Sequence, residues 1–313
     1  MRIVSLGSGS SGNALVVQAG QTTLLLDAGF TAGALRSRLK QARLAAESVT
    51  AILLTHEHRD HAFGAFSFAR RFGVPLVADP RTLDAAYQRV ERGQADPATL
   101  AGAWRVERIE QVERVELAVG RSTTVGGLSV RSFAVSHDAV APCGYVVSSG
   151  AWRLCYITDS GTVMEPMIEA LAESSLLLIE SNHDRDRLLN GSYPWHLKQR
   201  ILSPTGHLSN EQTCDALLRV LDDAPRWVWL GHLSRANNTP DLARSALRER
   251  LRQAGLRHIE PQVSPPGVGV AWDSASLWGS AAPPARQPDS REQPPQADAV
   301  PLAPARAARP QSL

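Results

Sequence analysis

The chain is poor in cysteine: Cys143, Cys155 and Cys214 are all it has in 313 residues, and no pair has CxxC spacing. An odd, scattered set excludes a disulfide framework and a thiolate zinc knuckle, and points to reduced thiols in a cytosolic protein. Long hydrophobic runs are missing too. No stretch approaches the roughly 18 apolar residues of a membrane span, and the apolar run in MRIVSLGSGSSG is too short for a signal-peptide core. The expectation is a soluble, cytoplasmic protein with no membrane partner. Nor does one charge dominate, since Lys+Arg 33 against Asp+Glu 31 leaves a formal net charge of +2. Bulk charge therefore cannot hold nucleic acid, and any such contact must come from a local patch.

What is present is a core. At 43% hydrophobic residues the chain is neither wholly disordered nor collagenous. At about 150 residues per domain its length fits two domains, or one large α/β domain with a tail. The second arrangement reads better. Residues 1–275 carry a recurring pattern of short β-branched or leucine-rich runs bounded by Gly, Pro, Asn, Asp or Ser. Helical patterns such as Ala32–Ala42, Ala62–Arg71, Thr162–Ala172, Asn210–Leu221 and Pro240–Gln253 lie between them. The interleaving predicts helices layered on sheets. Residues 276–313 are rich in Pro, Ala, Gln and Arg without apolar period, which predicts a disordered tail.

The strongest local signal is THEHRDH, Thr55 to His61, between the strand-like AILL and the helix-like AFGAFSFARRF. Three imidazoles and a carboxylate in six residues are the donor types of a first-row metal site. His56 and His58 are two apart and project to one side of extended backbone, whereas Asp60 and His61 turn away as the chain enters the helix. One segment then serves two neighbouring cations. A solvated turn with Asp60 as N-cap would need one such residue, not four.

HxHxDH is a signature of the metallo-β-lactamase superfamily, which the chain resembles from about residue 3 to 243. Asp27 in TLLLDAG, His137 in FAVSHDA, Asp159 in CYITDSG and His232 in WLGHLS resemble its remaining site residues, in order. Ser5–Asn13, Ile179–Ile201, Gly206–Gln212 and Gly231–Ala243 are similar to blocks of the nuclease-like YycJ/WalJ branch. The resemblance implies an α/β fold, an αββα sandwich with the metals at one edge of two facing sheets. It implies one cation on His56, His58 and His137, a second on Asp60, His61 and His232, and Asp159 between them. Zn²⁺ suits these ligands, and Mn²⁺ is also compatible. Asp27 is then a support for a ligating imidazole, with a plain strand-end turn as its alternative.

Phosphodiester cleavage follows as the expected chemistry, because paired cations counter phosphate repulsion and acidify a shared water. Asp60 would orient that water or take its proton. His207 in TGHLSNEQ would protonate the leaving oxygen, with Glu211 orienting it; a loop histidine packed near a helix cap is the alternative. Ser10 and Asn13 in the Gly/Ser loop, and Asn182 and His183 after a strand, are candidate substrate contacts. Arg185, Arg187, Lys198 and Arg200, with Tyr193 and Trp195 interleaved, form a candidate nucleic-acid patch. Nucleic acid is the expected substrate, DNA ahead of RNA, and an exonuclease the leading reading. A small-molecule metallo-hydrolase acting on a cyclic phosphodiester, lactone or thioester stands second, and a non-catalytic, metal-stabilised binding protein third.

Overall fold

A computed structural model describes residues 1–97 and 110–277. Strands β1 (Arg2–Gly7), β2 (Ala14–Ala19), β3 (Thr22–Leu26), β4 (Ala51–Leu53), β5 (Leu76–Ala78) and β6 (Arg114–Glu116) lie side by side in chain order. Strands β7 (Ser122–Val125), β8 (Leu128–Ala134), β9 (Cys143–Ser149), β10 (Trp152–Ile157), β11 (Leu176–Glu180), β12 (Trp227–Gly231) and β13 (Gln262–Val263) build the second sheet in the same manner. A last strand, β14 (Ala271–Asp273), returns to the first sheet and pairs with β1. Each sheet is antiparallel in its early strands and parallel from β3 to β6 and from β10 to β13.

Parallel strands need crossovers, and the helices supply them. These are α1 (Ala32–Gln41), α2 (Arg59–Ala62), α3 (Ala65–Phe72) and α4 (Pro80–Glu91) on the first sheet's side of the chain. They are followed by α5 (Glu165–Ala172), α6 (Arg185–Asn190), α7 (Trp195–Ile201), α8 (Asn210–Leu218) and α9 (Pro240–Gln253). Side chains alternate along a strand, so strands covered on both faces read as unbroken apolar runs. In β3, Leu24 and Leu26 enter the core between the sheets, while Leu25 packs outward with Leu35 and Leu39 of α1. In β11, Leu176 and Leu178 point inward, whereas Leu177 and Ile179 meet Leu217 of α8 and Leu247 of α9. Three apolar layers between four structural layers make the αββα sandwich.

Two expectations change in detail. The helical pattern Ala62–Arg71 is split between α2 and α3 at Gly64. A Cβ on Gly64 would lie 1.9 Å from the Phe30 carbonyl oxygen, so the chain turns there at a backbone crossing. Helices α4, α6 and α7 are additions to the sequence reading. The expected domain boundary falls within the last described turn, Ser274–Leu277, and the tail assigned to the residues beyond it lies outside the described residues. No helix among the described residues is long and apolar enough to cross a membrane.

Candidate metal centre

The site is made where strands end. Asp27 follows β3, Thr55–His61 follows β4, His137 lies just beyond β8, Asp159 follows β10, Glu180 closes β11 and His232 follows β12. In open α/β sheets the carboxyl ends of strands are where ligands bind, because the chain there leaves the sheet and frees its side chains. Asp27 and His232 both take left-handed backbone, with φ of 61° and 52°. Such backbone is costly for a residue with a Cβ and persists where surrounding contacts hold it.

Four overlapping groups place their ligand atoms within 4.8 Å of one another: His56, His58 and His137; His56, His61 and Asp159; Asp60, His61 and His232; and Asp159, Glu180, His207 and His232. The expected ligands His56, His58, Asp60, His61, His137, Asp159 and His232 thus lie in one cluster. Asp159 stands between the histidines, its Oδ2 2.9 Å from His61 Nε2 and its Oδ1 3.2 Å from His232 Nδ1. Behind them, Asp27 Oδ2 lies 2.8 Å from His61 Nδ1, and its Oδ1 accepts the Thr55 amide at 2.9 Å. The Tyr156 hydroxyl donates to the same carboxylate at 3.1 Å. With Nδ1–H given to Asp27, His61 turns the lone pair of Nε2 toward the cluster.

Two atoms bear on what the cluster can hold. His56 Nε2 is buried with no hydrogen-bond partner among the described residues, and the buried Asp159 Oδ2 faces His61 Nε2 at 2.9 Å. A buried acceptor without a donor is costly, and a cation is the partner that satisfies several at once. Imidazole and carboxylate together suit first-row divalent ions. The charge balance agrees. Burial disfavours the imidazolium of His61, yet the carboxylates of Asp159, Asp27 and Asp60 raise its pKa well above the usual value. Burial acts likewise on His232, where Asp159, Asp60 and Glu180 prevail and hold its pKa at about 10. Asp159 is pushed up by burial but held well below the usual carboxylate range by His232 and His61. The carboxylates create a cation-seeking pocket, and protons compete for it.

An open cavity of about 260 Å³ lies against this cluster, lined in part by His58, Asp60, His137, Asp159, His207 and His232. His207 is set there by Glu180, whose Oε1 is 2.7 Å from its Nδ1 and 2.9 Å from Nδ1 of His232. Burial lowers the His207 pKa, but Glu180 and Asp159 raise it above the ordinary value. Glu211 is not that orienting carboxylate. It is exposed on the first turn of α8 and makes no hydrogen bond to His207. Glu180 was the residue hidden in the sequence: a carboxylate closing an apolar strand, fully buried and accepting the Ser160 and Leu208 amides.

Of the expected substrate contacts, Ser10 and Asn182 line the cavity. Asn13 and His183 do not. Asn13 is buried behind the wall, with its amide nitrogen 3.0 Å from His61 Nε2 and 3.3 Å from the Asp60 carbonyl, and so braces the ligand segment. His183 is buried, and neither ring nitrogen has a hydrogen-bond partner among the described residues. The basic patch also divides. Arg200 and Tyr193 line the cavity, and Trp195, Arg185 and Arg187 are exposed. Lys198 is buried, its Nζ donating to the Leu189 and Gly191 carbonyls at 2.7 and 2.8 Å, which ties α7 to α6 and removes it from the patch.

Residues 22–232 match the family model of the β-lactamase superfamily domain, and with its two facing sheets and strand-end histidine cluster the chain belongs to that superfamily. Its relatives within it can be named. It is 37% identical over 265 residues to exodeoxyribonuclease WalJ of Streptococcus pneumoniae, covering 85% of this chain and 90% of WalJ. It is 36% identical over 268 residues to exodeoxyribonuclease YycJ of Bacillus anthracis, covering 86% and 92%. The metallo-β-lactamase fold protein YhfI of Bacillus subtilis superposes with a TM-score of 0.60 at 19% identity, over 87% of this chain and 98% of YhfI.

Proposed function

We propose that the protein is a metal-dependent exonuclease that hydrolyses phosphodiester bonds in DNA. His56, His58 and His137 would hold one divalent cation and Asp60, His61 and His232 a second, with Asp159 shared between them. Zn²⁺ suits this donor set best, and Mn²⁺ is the alternative. When bound, such a pair supplies charge neutralisation at the phosphoryl group and lowers the pKa of attacking water. Asp60, on the cavity wall, orients the water and receives its proton.

The observation that carries the reading is the Glu180–His207 pair. With Nδ1 committed to Glu180, Nε2 is the atom of His207 left to deliver a proton, and the Glu180 and Asp159 carboxylates raise the ring's pKa above its ordinary value against the opposing effect of burial. An alkoxide leaving from phosphorus needs that proton. The named activity of the WalJ and YycJ relatives supports DNA as the polymer.

The test is one panel: metal-defined protein with end-labelled single- and double-stranded DNA and RNA, bis-p-nitrophenyl phosphate, and a lactone. Stepwise release of nucleotides from DNA ends is the expected result. Internal fragments would replace the exonuclease with an endonuclease. Turnover of the lactone alone would mark a small-molecule hydrolase, and metal binding without any turnover would mark a binding protein.

A further inference from the structure

Helix α7 places Leu197, Arg200 and Ile201 on the cavity, and Tyr193 lines it from the loop before the helix. Positions three and four apart share a helix face, so this wall is one surface. Among the described residues, Arg200 is the only Lys or Arg side chain on the cavity lining. Its Nε donates to Asp138 Oδ2 at 2.6 Å. Asp138 follows the candidate ligand His137, and its own amide is fixed to the Thr205 carbonyl at 3.1 Å. The guanidinium therefore has a set position relative to the metal cluster. One N–H of its fork is spent on Asp138, and the terminal nitrogens have no hydrogen-bond partner among the described residues.

We infer that Arg200 binds the phosphate next to the one being cleaved, so that the site recognises a polynucleotide strand and not an isolated phosphodiester. This rests on the nuclease reading above and deepens it. The scissile phosphate has its neutralising charge at the cations, which leaves the arginine for a neighbouring anion. A guanidinium held by one edge presents its remaining donors in the planar fork that matches phosphate oxygens. Tyr193 on the same wall offers the intervening base a face to stack on, the pairing of ring and cation that suits a single strand.

The test compares wild type, Arg200→Ala and Arg200→Lys on bis-p-nitrophenyl phosphate, which has a single phosphate, and on an end-labelled single-stranded oligonucleotide. Arg200→Ala should raise KM for the oligonucleotide at least tenfold more than for the small diester. Arg200→Lys, which keeps the charge but not the fork, should recover only part of the difference. Tyr193→Ala should add to the loss on the oligonucleotide, and Tyr193→Phe should not. Binding is read separately, by fluorescence anisotropy of metal-loaded protein with a labelled single-stranded oligonucleotide whose linkages are cleavage-resistant phosphorothioates. There the slope of log affinity against log salt should fall by about 0.7 in Arg200→Ala, the contribution of one phosphate contact on a single strand. Equal losses on both substrates, or an unchanged salt slope, would overturn the inference and leave Arg200 as an ion pair of the wall. If wild type cleaves the small diester yet neither binds nor cuts DNA, the nuclease reading itself fails and takes this subsite with it.

Discussion

One oxygen of Glu180 serves two imidazoles, those of His207 and His232, and this sharing assigns them different work. Both rings line the cavity, but His232 is 2% exposed and turns its Nε2 toward Asp60, 3.2 Å away, while His207 is 20% exposed and the more open to substrate. His207→Ala should therefore lower DNA turnover by roughly 10²–10⁴-fold with metal content preserved. Bis-p-nitrophenyl phosphate should suffer much less, because p-nitrophenolate leaves without a proton. Loss of metal, or equal loss on both substrates, would make His207 a ligand or its support. His183 yields a second prediction, on stability. Burial holds its pKa at about 4, against an ordinary 6.5. The unfolded chain therefore takes up a proton between those values that the folded one refuses, and stability falls as pH drops from 6.5 toward 4, by about 3 kcal/mol. His183→Gln should flatten that part of the profile in urea titrations at pH 7, 6 and 5; an unchanged slope would exclude His183 as its source. The candidate metal ligands were legible because their chemistry is concentrated in His56–His61 and recurs at strand ends. Glu180 was not, since a strand ending in one carboxylate reads as an ordinary buried strand until its partners, some 27 and 52 residues away, are seen to fold onto it.

The loops after β1 and β3 and the turn around α2 form a single backbone unit. Asn13 N donates to the Asp60 carbonyl at 2.7 Å, Ala28 N to the His61 carbonyl at 2.6 Å and Gly64 N to the Ala28 carbonyl at 2.9 Å. Contact this close leaves no space at Gly29, where a Cβ would lie 1.7 Å from the Asp60 carbonyl oxygen. Gly29→Ala should push the His56–His61 segment off its supports, lowering metal affinity at least tenfold and stability by about 1–3 kcal/mol. Gly33→Ala, in α1 with open space around it, is the matched control and should be neutral or slightly stabilising. Metal content and urea midpoints measure both, and wild-type values in Gly29→Ala would contradict the crossing. Local signals read well where caps and period agree. Thr239 caps α9 ahead of Pro240, and Ser209 with Gln212 forms a capping box on α8. The same signals stand at α4, where Asp79 caps and Pro80 opens the helix. Gly64 and Lys198 were beyond local reading, because a backbone crossing and a buried ammonium staple are tertiary facts.

Across the whole molecule, the two sheets bring together side chains as distant as Asp27 and His232, and β14 closes on β1 so that the described chain begins and ends in one sheet. The αββα layering came from resemblance, while apolar periodicity alone supported only layered α/β packing. Alternation along β3 and β11 becomes informative once both faces are known to be covered. The sandwich supplies rigidity, and in the proposed function the chemistry depends on cations held by the strand-end cluster. The most direct measurement is to strip the protein with chelator, return Zn²⁺ or Mn²⁺ in half-equivalent steps, and follow cleavage of end-labelled DNA alongside bound metal. The account predicts two tightly bound ions per chain and nucleotide release that tracks filling of the pair. Full cleavage by metal-free protein, or no cleavage with both ions in place, would contradict it.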